Sequence, residues 1–340
     1  MKAKPAAQTC HRGLACLLAT ALNLACGSDS SAGSSANTDA AKPDGGELSS
    51  DSGAEPDGQT EESFETLELT VGDFVFDAHA AGPADGELVL LLHGFPTTWF
   101  QWRAQLAALA KQGYRAVAPN QRGYSEGARP DEIASYSILL LAQDVLGMAD
   151  ALDRETFHVV GHDWGGAVAW VVAGIAPARV SSLTVLSTPH PDAMAAARSD
   201  PDSCQASASA YIETLRQPDV TAQDLASIGT GFDGVSEEAQ AVYLQDVITQ
   251  PDVFAAAAKW YAANFAADMP APNLGKIGVS TLYLFGTEDS AFCRDTADST
   301  AGYVDGDYRF VPVSGGHWLS ETNAELVNRE LLDHLGARSK

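Results

Sequence analysis

The fold of this chain is decided by residues 157–166, Phe-His-Val-Val-Gly-His-Asp-Trp-Gly-Gly. The first four have the composition of a buried strand, and the Ala-Val-Ala-Trp run at 167–170 is typical of a helix. Small residues two places before and after Asp163 permit a sharp turn from strand to helix, which holds the central side chain above the end of a sheet. The stretch therefore predicts a nucleophile elbow with Asp163 at its tip.

A carboxylate at the tip of such a turn has a definite chemical meaning. With an unperturbed pKa of about 4, Asp163 is ionised at neutral pH and can attack a saturated carbon without the help of a base. The product of that attack is an alkyl ester of the protein. This chemistry suits an oxirane or an alkyl halide, and it does not suit direct attack on an amide or a carboxylic ester.

Two further residues complete a triad in the chain order nucleophile, acid, histidine. Asp289 follows a predicted strand in Phe-Gly-Thr-Glu-Asp at 285–289, and His317 follows the next strand in Gly-Gly-His-Trp at 315–318. We expect Asp289 to orient His317 and to stabilise its protonated form, while His317 activates the water that attacks the ester. Glu288 is the rival for the acid, and the motif spacing favours Asp289.

A second loop predicts donors for the negative charge that develops during ester hydrolysis. His-Gly-Phe-Pro at 93–96 follows another strand-like run, which is the context of a loop that supplies an oxyanion-hole amide. The backbone amides of Phe95 and Trp164 are the expected donors. Each would contribute on the order of 3 kcal/mol of transition-state stabilisation.

From residue 64 onward, short β-branched runs alternate with Ala-rich segments of helical length, which predicts a mostly parallel sheet covered by helices on both faces. The interval 191–274 breaks this rhythm because it is helical in pattern and lacks a convincing strand. We therefore predict a core at 64–190 and 275–338 with a helical cap inserted at 191–274. The predicted strands are 66–71, 75–78, 88–92, 115–118, 157–160, 182–186, 281–285 and 308–313, and the predicted helices are 102–111, 138–151, 167–176 and 324–335.

The N-terminal region indicates export. Three basic residues precede an apolar stretch at 13–25 that ends at Cys26, the layout of a signal peptide at 1–26. Leu-Asn-Leu-Ala-Cys at 22–26 is similar to a bacterial lipobox, so we expect cleavage before Cys26 and attachment of lipid to its thiol. The protein would then leave a bacterial cytoplasm and be anchored to a membrane, in the periplasm or at the cell surface. An ordinary secretory signal and an uncleaved anchor are the alternatives.

Residues 27–63 are dominated by Ser, Gly, Ala, Asp and Glu, with almost no large apolar side chains to offset the entropy of ordering them. They predict a disordered acidic linker. The whole chain of 340 residues has a formal net charge of -25, which argues against nucleic acid as a partner because no excess of Lys and Arg could neutralise phosphates. The oligomeric state is left open by the sequence.

Two cysteines, Cys204 and Cys293, fall within the predicted folded part. In an oxidising compartment they could form a disulfide, and otherwise they would be two unpaired small apolar residues. No metal or organic cofactor is implied, because the sequence has no clustered His and Cys ligands and no phosphate-cradling loop in a suitable context.

Together these motifs make the chain similar to the α/β-hydrolase epoxide hydrolases from about residue 64 to 335. The similarity is carried by His-Gly-Phe-Pro at 93–96, Gln-Arg-Gly-Tyr-Ser at 121–125, Gly-His-Asp-Trp-Gly-Gly at 161–166, Asp289 and His317. The resemblance implies the α/β-hydrolase fold with an inserted cap. It also implies hydrolysis of a small hydrophobic epoxide to a vicinal diol through an ester on Asp163.

The resemblance further implies a pair of acids in the cap, because that family protonates the leaving epoxide oxygen with two cap tyrosines. The matching residues here are Tyr261 and, with a less typical context, Tyr211. A phenol with a pKa near 10 can donate a hydrogen bond while it is neutral at pH 7. We also expect His93, Trp164 and Trp260 to bind the substrate.

Two other functions stay open at this point. A haloalkane dehalogenase would share the fold, the Asp nucleophile and the following Trp, but such enzymes commonly have an Asn after the His-Gly pair, where this chain has Phe95. The alternative donors for a departing halide would be Trp164 and Trp260. A surface lipoprotein that only binds a ligand is the third possibility, and a complete triad argues against it.

Overall fold

Eight strands form one sheet in the computed structural model, which describes residues 64–229, 231–266 and 273–336. The strands are β1 (Glu65–Val71), β2 (Phe74–Ala81), β3 (Leu88–Leu92), β4 (Arg115–Pro119), β5 (Phe157–His162), β6 (Val180–Leu186), β7 (Thr281–Gly286) and β8 (Tyr308–Val313). The α-helices are α1 (Arg103–Lys111), α2 (Ile138–Ala151), α3 (Trp164–Ile175), α4 (Pro191–Ser199), α5 (Cys204–Ala208), α6 (Ile212–Leu215), α7 (Ala222–Ser227), α8 (Glu237–Tyr243), α9 (Pro251–Asn264), α10 (Arg294–Ser299), α11 (Leu319–Thr322) and α12 (Ala324–Gly336).

The strand order is β1-β2-β4-β3-β5-β6-β7-β8. The first two strands form an antiparallel hairpin, and β2 is also antiparallel to β4, whereas all the pairs from β4 to β8 are parallel. The chain reverses its direction of progress across the sheet at β3, which has β4 on one side and β5 on the other. The carboxyl ends of β3 and β5 therefore flank a crevice, which is where open α/β sheets bind ligands.

Alternate residues of the central strands face two separate hydrophobic layers. Along β3, Leu88, Leu90 and Leu92 pack with α2 and α3, while Val89 and Leu91 face the layer that contains α1 and α12. Every residue of β3 is buried. This is why the central strands appear in the sequence as continuous apolar runs instead of alternating ones.

The described residues between β6 and β7 contain helices α4 to α9, a 3-10 turn at Ser209–Tyr211 and a π-helical turn at Leu244–Ile248, and they form no strand beyond a single bridge from Ile277 to Val304. Helix α9 packs this cap against the core. Its Trp260 indole donates a hydrogen bond to the Arg122 carbonyl at 2.8 Å, and its Asn264 amide donates to the Tyr136 carbonyl at 3.0 Å. The predicted sheet with an inserted helical cap is thus the observed arrangement.

A disulfide joins Cys204 at the start of α5 to Cys293 in the core, with Cα atoms 6.3 Å apart. The two cysteines that the sequence left undecided are therefore paired. Gln205 strengthens the same connection, because its side chain donates to the Ala291 carbonyl at 2.9 Å and accepts from the Cys293 amide at 2.9 Å. The loop that carries Asp289 is thereby attached to the cap.

All eight predicted strands are present, several of them longer by one or more residues. The main correction concerns α3, which begins at Trp164 and not at residue 167, because the elbow turn passes directly into the helix. Helices α10 and α11 were not predicted, since each is short. The predicted signal at 1–26 with its lipidation site Cys26, the linker at 27–63, residues 230 and 267–272 of the predicted cap, and residues 337–338 of the predicted core lie outside the described residues.

Across the described ranges, the helices are either too short or too polar to cross a bilayer.

Candidate active site

The elbow is a tight backbone turn that leaves no room for a side chain at two positions beside Asp163. Asp163 has φ 52° and ψ -120°, a strained combination for a residue with a Cβ. A Cβ on Gly161 would lie 2.1 Å from the Gly165 carbonyl oxygen, and one on Gly165 would lie 2.0 Å from the Leu92 carbonyl oxygen. Only glycine fits these two positions, and the turn that they permit presents Asp163 at the carboxyl end of β5.

The two carboxylate oxygens of Asp163 have different surroundings. Oδ1 accepts a hydrogen bond of 2.9 Å from the Phe95 amide, in the loop after β3. Oδ2 lies 3.6 Å from Nε2 of His317. One oxygen is thus held by a backbone donor, as an oxyanion would be, while the other faces the imidazole. The amide of Trp164, the second expected donor, stays a prediction.

His317 is held from its other side by Asp289. Its Nδ1 lies 3.0 Å from Oδ2 of Asp289, whose side chain is fully buried. The second carboxylate oxygen of Asp289 accepts from the amides of Ala291 at 2.8 Å and Phe292 at 3.0 Å, so the acid cannot rotate freely. Glu288, the rival considered for this role, is exposed and makes no contact with His317 among the described residues.

Asp163 and His317 stabilise each other's ionised form. Burial by itself lowers the pKa of His317, but the charge of Asp289, the hydrogen bond to it and the nearby charge of Asp163 outweigh burial and raise that pKa to about 10. Burial by itself raises the pKa of Asp163, but the nearby charge of His317 and the hydrogen bond from the Phe95 amide outweigh burial and lower that pKa. At neutral pH the resting site therefore holds an imidazolium between two carboxylates.

Two residues that were not singled out in the sequence hold the backbone of His317. Nε2–H of His162 and the Ser187 hydroxyl each donate to the His317 carbonyl at 2.8 Å. Burial, with a contribution from the charge of His317, lowers the pKa of His162 to about 4, so this neighbouring ring is neutral and does not repel the imidazolium. His162 lies inside the elbow motif and could have been suspected, whereas nothing in the sequence marks Ser187.

A cavity of about 480 Å³ opens above the elbow, between the core and the cap. Asp163 and Trp164 line it from the core, and Tyr211 and Tyr261 line it from the cap. The two tyrosine rings lie 6.2 Å apart in an edge-to-face contact, and the Tyr261 ring packs 5.0 Å from that of Trp164. Both predicted cap tyrosines are therefore brought to the same cavity as the predicted nucleophile.

Both phenols are neutral at physiological pH. Burial raises the pKa of Tyr261 well above its usual value, and the nearby Tyr211 and the charge of Asp163 add to this effect. Burial likewise raises the pKa of Tyr211, with the charges of Asp163 and Asp289 in the same direction, although a hydrogen bond to Tyr261 opposes it. Two protonated hydroxyl groups thus face a carboxylate across an apolar cavity.

The structure does not support the expected substrate contacts of His93 and Trp260, because neither lines this cavity. Nδ1 of His93 donates to the Gly94 carbonyl, and its Nε2 accepts from the Gln121 amide. Trp260 is fully buried and donates to the Arg122 carbonyl. Both rings lie behind the cavity wall, where they position loops. Of the three residues predicted to bind substrate, Trp164 alone lines the cavity.

In the part of the chain that the structure describes, no three His, Cys, Asp or Glu side chains are grouped so that they could hold a metal ion.

Comparisons with known proteins agree with this geometry. The sequence model of the α/β hydrolase fold family matches residues 87–324. AB hydrolase superfamily protein YfhM of Bacillus subtilis (strain 168) is 31% identical over 274 residues, which cover 75% of this chain and 92% of the relative. Epoxide hydrolase A of Mycobacterium tuberculosis (strain ATCC 25618 / H37Rv) is 30% identical over 302 residues, which cover 75% of this chain and 92% of the relative.

Among solved structures, one described as novel epoxide hydrolases of the alpha/beta hydrolases superfamily in metagenomes from hot environments superimposes with a TM-score of 0.71. It is 27% identical and covers 80% of this chain and 99% of its own. The family match spans the elbow, the acid and the histidine. The chain therefore belongs to the α/β hydrolase fold family and is an epoxide hydrolase-like enzyme of that family.

Proposed function

We propose that this enzyme opens small apolar epoxides to vicinal diols, with Asp163 as the nucleophile. One observation carries the proposal: an ionised carboxylate and two protonated phenols line one apolar cavity. An epoxide needs both, since a carbon must be attacked while the ring oxygen receives a hydrogen bond. An amide or ester substrate would have no use for this combination.

In the first step, Oδ2 of Asp163 attacks a ring carbon, forms a C–O bond and breaks the bond from that carbon to the epoxide oxygen. The released electron pair stays on the oxygen, which accepts hydrogen bonds from Tyr261 and Tyr211 and takes up a proton from one of them. The phenol that lost its proton recovers one from solvent. The product is a hydroxyalkyl ester of Asp163.

The ester changes the charge balance at His317. Esterified Asp163 carries no charge, so the imidazolium loses one of the two carboxylates that raise its pKa, and it can release its proton to solvent, which replaces the proton that the phenol took up. Neutral His317 then removes a proton from water as the water attacks Cγ of the ester. Oδ1 becomes the oxyanion, to which the Phe95 amide already donates, and Asp289 stabilises the imidazolium that forms again. The oxyanion then re-forms the carbonyl and breaks the bond from Cγ to the substrate oxygen, which takes the proton of the new carboxyl group, so the diol leaves and Asp163 is a carboxylate again.

The decisive experiment traps the ester. In a His317→Gln variant the first step is intact and the second lacks its base, so incubation with styrene oxide should leave a stable adduct on Asp163, seen by intact-protein mass spectrometry and peptide mapping. A His317→Gln/Asp163→Ala double variant is the matched control and should gain no mass. If a broad panel of epoxides leaves no adduct on the single variant, the proposed mechanism is wrong.

The route of the water oxygen gives an independent test. Water attacks the Asp163 carboxyl and not the substrate, so a single turnover of excess enzyme in oxygen-labelled water should put the label into the Asp163 side chain. The diol of that first turnover should be unlabelled. Label that appears directly in the diol would contradict the ester route.

Haloalkane dehalogenation is disfavoured by the donors that are available at the cavity. Trp260, one of the two indoles considered for halide binding, already donates to the Arg122 carbonyl, and the residue after the His-Gly pair is Phe95. Release of free halide from a bromoalkane, with no diol from any epoxide, would reverse this choice. A role in binding alone would require that the His317→Gln variant form no adduct.

We also propose that the enzyme is exported and attached to a membrane through lipid on Cys26. The signal-like residues 1–26 support export, and so does the Cys204–Cys293 disulfide, because disulfides persist in oxidising compartments. In a bacterial host, the wild type should incorporate labelled palmitate and sediment with membranes. A Cys26→Ala variant should incorporate no label, and equal labelling of the two would refute the lipid anchor.

A further inference from the structure

The cavity carries charge at one place besides the elbow. Four ionisable acidic or basic side chains line it, namely Asp163 at the elbow and Arg198, Glu213 and Arg216 on the cap. The rest of its described wall is mostly apolar, with Met194, Ile212 and Phe265 among its members. The three charged groups of the cap play no part in the mechanism proposed above.

Two of these three charges neutralise each other. Arg216 contacts Oε2 of Glu213 through Nη2 at 2.6 Å and through Nε at 2.9 Å. Arg198 forms no hydrogen bond or ion pair within the described ranges, and its guanidinium carbon lies 4.4 Å from the centre of the Phe265 ring. The cap wall of the cavity therefore has one unpaired positive charge.

The ring beneath Arg198 ties that charge to the reacting groups. Phe265 packs 5.6 Å from the Trp164 ring and 6.2 Å from the Tyr261 ring, so it fixes the guanidinium relative to the elbow. Stacking on a ring face leaves the N–H groups at the edge of the guanidinium available to a ligand. The charge of Arg198 also lowers the pKa of Tyr211, opposing the larger effect of burial, which indicates that the cation acts on the tyrosine end of the cavity.

We propose that Arg198 binds the carboxylate of the substrate, and that the preferred substrates are epoxides on a hydrocarbon chain that ends in a carboxylate. This inference rests on the proposed epoxide hydrolysis and specifies its substrate class. A guanidinium matches a carboxylate with two parallel hydrogen bonds, and the apolar walls suit the hydrocarbon chain. One unpaired cation suits a monoanion better than a dianion. The formal charge of -25 would repel such a substrate elsewhere on the protein.

The test compares each acid with its own neutral ester. Terminal epoxides of hexanoic, octanoic and decanoic acid are assayed beside their methyl esters, and the ratio of kcat/KM for acid to kcat/KM for ester is the readout. For at least one chain length the wild type should favour the acid. Arg198→Gln should lower that ratio about ten- to one-hundredfold, the range expected for hydrogen bonds to a charged group. Arg198→Lys should retain part of the preference, and Arg198→Glu should lower the ratio further.

Arg294 offers a matched control. Its guanidinium also stacks on a phenylalanine, 5.4 Å from the Phe310 ring centre, but it does not line the cavity. Arg294→Gln removes the same charge and the same kind of ring contact, although Arg294 is also paired with Asp298 at 2.8 Å, and the ratio should stay at the wild-type value. Circular dichroism and thermal melting of every variant establish that the folded proteins are being compared.

Two failures can be told apart. If wild type and Arg198→Gln produce diol from acid and ester with the same ratio, Arg198 does not bind the carboxylate, while the proposed epoxide hydrolysis stands. If the wild type produces no diol from either substrate, the proposed function itself is wrong and the role of Arg198 falls with it. An equal loss of ratio in Arg294→Gln would also overturn the assignment, because a distant charge would then suffice.

Discussion

The elbow and the cap helix α9 supply the two halves of the site in different ways. At the elbow, Asp163 is fixed by its own neighbours in the chain, because glycines at 161 and 165 allow the backbone to turn within one short motif. Tyr261 on α9 is fixed by contacts with distant residues, such as the bond from Trp260 to the Arg122 carbonyl. The position of the proposed nucleophile is thus a local property of the sequence, whereas the positions of the proposed acid partners depend on docking of the cap.

The largest expected effect comes from removal of the proposed nucleophile. Asp163→Ala should lower diol formation on the order of 10⁵-fold, as removal of a covalent nucleophile does in other enzymes. It also removes one of the carboxylates beside His317, so the pKa of that imidazole should fall below the value of about 10. NMR titration of the His317 ring measures the shift. An unchanged pKa would mean that the two side chains are not coupled.

The same pair gives stability a defined pH dependence. The pKa of His317 is raised to about 10 in the fold, above its ordinary value of 6.5, so its ion pairing stabilises the fold fully below pH 6.5. That contribution is lost as pH rises through about 10. Urea unfolding of the wild type between these limits should show this loss, and the Asp163→Ala variant should lose less over the same range.

The second-largest expected effect of a substitution tests whether the elbow depends on its glycines. Gly161→Ala would place a Cβ 2.1 Å from the Gly165 carbonyl oxygen, where backbone must move, so we expect a loss of at least about 3 kcal/mol of unfolding free energy. Gly278→Ala is the matched control, because no atom lies within 4 Å of its added Cβ, and it should be close to neutral. Equal stability of the two variants in urea would show that the elbow tolerates a side chain.

The third-largest expected effect of a substitution concerns the tyrosines that the cap contributes to the site. Tyr261→Phe should lower kcat/KM for an epoxide about 10²-fold, the usual loss for one hydrogen-bond donor to a developing oxyanion. Tyr211→Phe should act in the same direction. Tyr114→Phe, on the opposite face of the sheet, is the control and should leave kcat/KM unchanged. If Tyr261→Phe is fully active, the cap supplies no acid and serves only to enclose the substrate.

The smallest expected effect tests how the cap is attached to the loop that carries Asp289. The Cys204–Cys293 disulfide closes a separation of 89 residues, and its loss in a Cys204→Ser/Cys293→Ser variant should cost about 2 kcal/mol. This is the lower end of the usual range, because the Gln205 bonds to Ala291 and Cys293 remain. Thermal melting measures the change, and reduced wild type should melt as the variant does. A stability that is insensitive to reduction would exclude a structural role for the disulfide.

The sequence predicted the core well because its signals are local. A strand, a tight turn and a helix at 157–175 lie next to one another in the chain, and the loops that bear Phe95, Asp289 and His317 each follow a strand of the same sheet. Carboxyl ends of neighbouring parallel strands meet at one edge, so residues that are distant in sequence could be expected to meet. The start of α3 was misplaced by three residues because the turn and the helix share Trp164.

The substrate contacts could not be predicted in the same way. His93 and Trp260 are polar or aromatic residues beside motif positions, which suggested binding, yet both are buried behind the cavity wall. No sequence motif marks Arg198, and its proposed role follows only from its surroundings, which are a ring beneath it and no ion-pair partner among the described residues. A side chain's direction on a cap helix depends on how that helix packs, and the sequence records this packing weakly.

The residue order alone was enough to predict the fold family and to place Asp163, Asp289 and His317 at the ends of neighbouring strands, because these features depend on short-range backbone geometry that particular residue types enforce. Three features became visible only in the folded protein: Cys204 pairs with Cys293, His162 and Ser187 hold the His317 carbonyl, and two tyrosines and one arginine without an ion-pair partner among the described residues line the same cavity. These facts arise from the docking of the cap on the core, where the contacts join residues that are far apart in the chain.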